Sequence, residues 1–266
     1  MHLGLIGFGS IGSALVGMLG QTQVTQVTAL VRPASDAPQR HSAGPVPVAF
    51  VSSLDELIAA RPDIVVECAG HAAVAAYAPP LLQSGHDVII ASVGALADAA
   101  LQKQVERAAG AGKSRFILPS GAIGGLDLMR ALAAAGDVDV AYRGIKPPKA
   151  WQGSPAEQVV DLNALSRPVT FFSGNGRDAA LAYPKNANVV AALALAGAGF
   201  EQMRVELVAD PAAQGNQHSY QVHSPFCKYT MTIEATGSPG NARTSVTTVL
   251  SILQEIATYQ PIQSST

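Results

Sequence analysis

Residues 1–19 read as an apolar strand, a glycine turn and a helix, an order that few folds accept at so short a length. Leu3, Leu5 and Ile6 run into Gly7-Phe8-Gly9-Ser10-Ile11-Gly12, a G-x-G-x-x-G spacing. Each glycine has its own mechanical task. Gly7 permits the tight turn, Gly9 lets a pyrophosphate approach the backbone, and Gly12 lets the next helix pack closely on the strand. That helix, marked by Ile11, Ala14, Leu15, Met18 and Leu19, offers free N–H groups and a positive dipole end to phosphates. A chain with 25 glycines can produce the spacing by chance. The strand before it and the apolar helix after it favour dinucleotide binding over a plain glycine turn. Gly7, Gly9, Ser10, Ile11 and Gly12 are therefore expected to hold a dinucleotide.

The rest of the first half repeats the alternation. Strands are expected at 24–31, 46–51, 64–70, 88–93 and 115–119, with a loop rich in Pro, Ser, Ala and Gly at 33–47. Ser52-Ser53-Leu54-Asp55-Glu56 opens a helix with capping-box spacing between Ser53 and Glu56, and another helix runs from Asp98 to Ala111. The near-continuous apolar run of Ile64-Val65-Val66-Glu67-Cys68-Ala69-Gly70 suits a parallel sheet covered on both faces. Six strands with helical crossovers imply an α/β fold, a doubly wound Rossmann sheet with ligands beyond the carboxyl ends of its strands. Gly70-His71, Ser92-Val93-Gly94 and Ser120-Gly121-Ala122 fall at such ends.

The second half changes character, to an α+β pattern with a mixed sheet. A helix from Leu126 to Ala135 closes at Gly136. Strand-like runs follow at 138–145, 169–172, 203–209, 218–223 and 229–235, interrupted by a helix at 188–198. Tyr229 to Ala235 alternates polar and apolar residues, which suggests a sheet face left open or covered by a partner. The expected division is a dinucleotide-binding domain at 1–120 and a substrate, catalytic and oligomerisation domain at 121–242. A closing amphipathic helix at 243–260 packs back on the first. An exposed apolar stripe on Tyr229 to Ala235 would favour a homodimer, since two-fold pairs are the commonest closed assembly.

Composition narrows the function classes. At 266 residues, 48% hydrophobic and 14% charged, the chain can bury a substantial core and is not disordered. A net charge of −2 gives no field for nucleic acid or an anionic membrane. With no long uninterrupted apolar run and no basic segment before the first hydrophobic stretch, a cytoplasmic protein is expected. Cys68 and Cys227 have no metal-ligand spacing and form no disulfide framework, so no metal is expected. Cys68 reads as a small core residue.

Cofactor choice is written incompletely after the second strand. An acid about 20 residues beyond the glycines would hold the ribose 2′-hydroxyl of NAD, whereas an arginine there accommodates the 2′-phosphate of NADP. The count from Gly12 reaches Arg32; Asp36 lies in the following loop. Arg32 is thus either a cofactor contact or an exposed loop residue, and both NAD and NADP stay open.

Six histidines can move a proton near neutral pH. His2, His41 and His86 read as solvated, and His71 follows the carboxyl end of the fourth strand. His218 and His223, five apart on one strand, must point to opposite faces. Lys185-Asn186-Ala187-Asn188 opens an apolar helix. There Asn186 or Asn188 is either a helix cap or an amide that orients a nicotinamide or a carboxylate, and Lys185 either pairs a substrate carboxylate or lies on the surface.

Several ordered segments resemble L-aspartate dehydrogenases, whose fold is akin to homoserine dehydrogenase. They are Val66-Glu67-Cys68-Ala69-Gly70-His71, Ala91-Ser92-Val93-Gly94-Ala95-Leu96, Leu118-Pro119-Ser120-Gly121-Ala122-Ile123-Gly124-Gly125-Leu126-Asp127, Lys146-Pro147-Pro148, Tyr183-Pro184-Lys185-Asn186-Ala187-Asn188-Val189, Asp210-Pro211 and Asn216-Gln217-His218. The resemblance implies oxidation of L-aspartate with NAD or NADP to iminoaspartate, then oxaloacetate and ammonia, in NAD biosynthesis. It implies that Ala122 and Asn188 contact the dinucleotide and that His218 is the catalytic residue. Rival readings are a homoserine-type dehydrogenase or imine reductase on the same scaffold, or a nucleotide-sensing module without catalysis.

Overall fold

The computed structural model describes residues 1–32, 44–184, 186–234 and 246–261. The chain divides into two units, residues 1–121 with 246–266, and residues 122–245.

The first unit opens with β1 (His2–Ile6), α1 (Ser10–Met18), β2 (Gln26–Leu30), β3 (Val48–Val51), α2 (Leu54–Ala59) and β4 (Ile64–Glu67). It continues with α3 (His71–Gln83), β5 (Val88–Ile90), α4 (Ala99–Gly112) and β6 (Phe116–Ile117). The six strands pair in parallel in the order β3-β2-β1-β4-β5-β6. The order reverses direction at β1 and β4, which places the switch point of a doubly wound sheet beside the glycine turn. All four residues of β4 are buried, as an apolar strand covered on both faces requires. Two helix starts follow from local chemistry. Ser53 accepts from the Glu56 amide while the Glu56 carboxylate reaches back to the Ser53 amide, a complete capping box. Asp98 caps α4 by accepting from the Ala100 and Leu101 amides at 2.8 and 3.2 Å.

The second unit comprises α5 (Leu126–Ala135), β7 (Asp139–Lys146), α6 (Pro148–Trp151), β8 (Val169–Asn175), α7 (Gly176–Ala182) and α8 (Ala187–Leu193). After these come β9 (Arg204–Ala209), β10 (Gln217–His223) and β11 (Lys228–Glu234). Its sheet has the order β11-β10-β7-β9-β8 and is mixed, with β7 and β9 parallel and the other pairs antiparallel. The helix expected over 188–198 is regular only to Leu193. At Gly197 φ is +137°, and a Cβ there would lie 2.3 Å from that of Ala133 on α5, so this glycine admits close approach at the cost of helix regularity.

The alternation on β11 marks a sheet with one open face, as expected, and the open face is the polar one. Tyr229, Met231 and Ile233 pair with Val222, Tyr220 and His218 of β10, so the apolar side of β11 belongs to the covered face and is half-buried. The other face is polar. Arg143 meets Glu206 at 3.6 Å, and Ser219 Oγ lies 3.2 Å from Thr232 Oγ1. The apolar stripe expected to be exposed is half-buried over its described residues, Tyr229, Met231 and Ile233; Ala235 lies outside them.

The chain then returns to the first unit as α9 (Val246–Thr258), which packs against α1. Val249, Ile252 and Ile256 join Leu3, Leu5, Leu15 and Leu19 in one core. Tyr259 anchors its end, donating to the Asp63 carbonyl at 2.9 Å and lying 3.2 Å from the buried Asp87 carboxylate, which also receives Arg115 Nε at 2.8 Å.

Candidate active site

The glycine turn separates the three tasks assigned to it. Gly7 has φ +91°, and a Cβ on it would meet that of Ala69 at 2.7 Å. A Cβ on Gly12 would lie 2.5 Å from the Gly7 carbonyl oxygen, a backbone atom that cannot yield. Both positions therefore need glycine for the fold itself. Gly9 differs: its φ of −83° suits any residue, and no atom lies within 4 Å of a Cβ built there. It is the N-cap of α1 and, as a glycine, brings no side chain to cap that end. Open space at the start of a nine-residue helix whose N-cap is a glycine fits an approaching pyrophosphate. Ser10 is exposed and Ile11 half-buried beside it. Arg32 is exposed just beyond β2; Asp36 and the loop around it lie outside the described residues.

Glu67 is a buried acid that sequence reasoning did not single out. It sits at the carboxyl end of β4 with no solvent exposure. Its carboxylate accepts from the Ala69 amide at 2.7 Å, the Gly70 amide at 2.8 Å, and the Ser92 amide and hydroxyl, each at 3.1 Å. Burial pushes its pKa up, against the pull of those four donors. The bonds tie the turn after β4 to the end of β5, at the edge where ligands of such sheets bind. A lone acid in an otherwise apolar strand was the available signal, since buried charge is costly unless hydrogen-bonded. Glu67→Ala, which strands these donors, should lower unfolding free energy by about 2 kcal/mol in urea titration. Glu67→Gln should cost less.

Cys68 follows, its thiol 3.4 Å from the carbonyls of Ile6 and Gly7. Burial pushes that thiol up to about 12, so it behaves as the core residue expected. His71 begins α3 and is half-buried. Two other histidines depart from the solvated reading. His2 is part-buried, with Nε2 2.9 Å from Thr28 Oγ1, and His86 lies 3.0 Å from Ser84 Oγ. Burial lowers the pKa of both. His41 lies outside the described residues.

In the second unit, His218 occupies the covered face of the sheet at 3% exposure, whereas His223 is exposed, as opposite parity demands. His218 Nδ1 is 2.8 Å from the hydroxyl of buried Tyr142 on β7. Burial, helped by the positive charge of Lys146, lowers the His218 pKa to about 4, so the ring is neutral at physiological pH. Burial pushes the Tyr142 hydroxyl well above its ordinary value, so it keeps its proton. Tyr142 can donate to or accept from Nδ1. When it accepts, Nε2 is free to take a proton.

Beside Lys146, whose Nζ lies 5.2 Å from its ring, Trp151 donates through Nε1 to the Val208 carbonyl at 3.0 Å and packs edge-on against Phe171, 4.7 Å between centroids. Asn186 occupies the N-cap position of α8 and is buried, yet makes no side-chain capping bond; Asn188 is exposed in the first turn. Asn186 thus takes the N-cap place expected for one of these amides, without the side-chain bond of a cap. Lys185 lies outside the described residues. Ala122 is half-buried between Gly121 and α5. Among the described residues no cluster of three His, Cys, Asp or Glu could hold a metal ion, and no helix is long and apolar enough to cross a membrane.

Comparison with known proteins agrees across both units. Residues 7–119 match the family described as homoserine dehydrogenase, NAD binding domain, and residues 127–259 match aspartate dehydrogenase, C-terminal. An L-aspartate dehydrogenase of Ruegeria pomeroyi is 45% identical over 253 residues, covering 95% of this chain and 90% of that protein. L-aspartate dehydrogenase 2 of Bordetella bronchiseptica is 43% identical, covering 96% and 95%. The crystal structure of aspartate dehydrogenase from Thermotoga maritima superposes with a TM-score of 0.73 at 28% identity, covering 99% of each chain. By sequence along nearly its whole length, and by fold, the chain belongs to the L-aspartate dehydrogenase family of oxidoreductases.

Proposed function

We propose that this protein oxidises L-aspartate with NAD or NADP to iminoaspartate, whose hydrolysis gives oxaloacetate and ammonia. The observation that carries this reading is a buried, neutral His218 held through Nδ1 by Tyr142, in a chain of this family. A bound nicotinamide dinucleotide supplies the hydride acceptor. Gly9 leaves room for its pyrophosphate at the start of α1, with Ser10, Ile11 and Gly12 in the same turn, while Gly7 sets the turn. Ala122 and Asn188 would contact the same dinucleotide.

His218 handles the proton. Loss of hydride from Cα leaves a positive iminium, and water must attack its carbon. With Nδ1–H donating to Tyr142, His218 Nε2 takes one proton of that water as its oxygen bonds to carbon, giving the carbinolamine. Protonated His218 then returns that proton to the carbinolamine nitrogen, the C–N bond breaks to release ammonia, and as the oxygen lone pair closes the ketone its hydroxyl proton passes to the departing ammonia, leaving His218 neutral again. A ring that is neutral before the step is the competent form of a base.

The decisive assay is nicotinamide reduction, followed by absorbance, with a panel of amino acids. Activity with L-aspartate is expected; robust activity with homoserine and none with aspartate would overturn the reading. Cofactor preference turns on Arg32. If its guanidinium meets a 2′-phosphate, Arg32→Ala weakens NADP by about 1.5–3 kcal/mol, the range for hydrogen bonds to charged groups, and NAD far less. Equal losses for both cofactors would make Arg32 a bystander.

The reading includes a cytoplasmic homodimer. Its support is a five-stranded sheet whose polar outer face, bearing Arg143, Glu206, Ser219 and Thr232, is suited to a hydrogen-bonded interface. Light scattering at micromolar concentration should return twice the chain mass; a monomer would remove this part.

A further inference from the structure

We infer that Lys146 is the cation that receives a carboxylate of the substrate beside His218. This deepens the proposed reaction and rests on it.

Strand geometry brings the two residues together. On β7 the buried positions are Val140, Tyr142, Gly144 and Lys146, one face of the strand. Gly144 is the register partner of His218 on β10, so Lys146 is the next side chain along that face, about 7 Å further up the strand. A lysine stem spans such a distance, and the intervening residue has no side chain to block it. A Cβ on Gly144 would lie 2.7 Å from the Tyr142 hydroxyl, so the glycine also keeps open the path by which Tyr142 reaches His218.

Charge and burial then give the position its meaning. The buried charged residues among those described are Glu67, Asp87 and Lys146, and Lys146 is the cation of that set, at 8% exposure. Taking an ammonium out of water is costly, and proteins keep such groups where they meet an anion or perform a task. The Trp151 ring lies 5.2 Å from Nζ, a cation–π placement that steadies the head group. The ring is itself held by its bond to the Val208 carbonyl. The charge of Lys146 is also felt at His218. The proposed substrate has a carboxylate on the very carbon whose iminium water attacks, and a second one carbon further on. A histidine acting at that carbon therefore has a substrate carboxylate within a few bonds of it. Lys146 is the buried positive group on the same face.

Lys146→Met, which preserves length and apolar packing on Trp151, tests the inference in the full-length protein. Two readouts are needed: calorimetric titration with succinate, a dicarboxylate that carries no amine to oxidise, and steady-state kinetics with L-aspartate. The expected results are loss of succinate binding and a rise in KM for L-aspartate of about 10–100-fold, the range for a lost charge-assisted contact. NAD affinity should stay within twofold of wild type, and Lys146→Arg should recover part of the succinate affinity. Unchanged succinate affinity and unchanged KM would overturn the inference. If Lys146→Met does not fold, Lys146→Gln, which removes the charge and keeps a polar head, decides: a KM rise of about fivefold or more with weakened succinate binding supports the anchor, and unchanged KM and succinate affinity overturn it. Failure of the proposed reaction would look different. The wild type would then fail to oxidise L-aspartate, while succinate binding and its dependence on Lys146 could still be measured.

Discussion

His218→Ala should lower turnover of L-aspartate by about 10²–10⁴-fold, the usual loss when a positioned general base is removed. Dinucleotide affinity should change little, since the proposed contacts at Gly7, Gly9, Gly12, Ala122 and Asn188 all remain. His223→Ala is the control. It changes an exposed histidine on the same strand and the opposite face, and should leave activity near wild type. Steady-state kinetics with both variants, together with NAD titration, provides the check. Equal losses in the two variants, or loss of NAD binding in His218→Ala, would refute the assignment, and His71 would be the next candidate.

The same residue should leave a mark on stability against pH. His218 has a folded-state pKa near 4, against 6.5 for an unperturbed ring. Between those values the unfolded chain binds a proton that the native ring does not. Stability is therefore complete above pH 6.5 and is lost as pH falls toward 4, with no further loss from this group below that. The span corresponds to about 3 kcal/mol at 1.36 kcal/mol per unit. His2 and His86 shift in the same direction, so the wild-type curve alone does not isolate His218. The difference between wild type and His218→Gln does, because the other groups cancel. Urea unfolding of both proteins from pH 7 to pH 4 should give a wild-type curve that falls more steeply. Parallel curves would mean that His218 is not buried in neutral form.

How much of this protein can be read from its residues depends on how far apart the interacting groups lie along the chain. Short-range chemistry was legible. The glycine spacing at 7, 9 and 12, the capping box of Ser53 and Glu56, the strand character of the fourth β-segment and the opposite facing of His218 and His223 all depend on residues within a few positions. Backbone sterics and the two-residue strand period act at that range. Where packing overrides local preference, the residues misled or were silent. α3 carries Pro79 and Pro80 within the helix, a pair that argues against a helix locally. Its buried Val74, Ala78, Leu81 and Leu82 hold it in place. The alternation on β11 was legible; that its apolar side aligns with the buried Val222, Tyr220 and His218 instead of being left exposed was not, because that depends on the pairing with β10.

The candidate site divides in the same way. From the sequence by itself came the dinucleotide turn, the parallel first sheet and the opposite facing of His218 and His223; the proposed role of His218 in proton transfer came from the family resemblance. The tertiary structure alone decided what surrounds it. Tyr142 and His218 are 76 residues apart and meet because β7 and β10 are antiparallel neighbours. Glu67 finds Ser92, 25 residues on, because β4 and β5 lie side by side. Lys146 becomes a buried cation only once β7 is paired on both edges and Trp151 lies over its head group. Strand register, burial and electrostatic neighbourhood are properties of contacts across the chain, and no local pattern encodes them; the steric demands of a glycine, a cap or a strand period are local, and these the residues state directly.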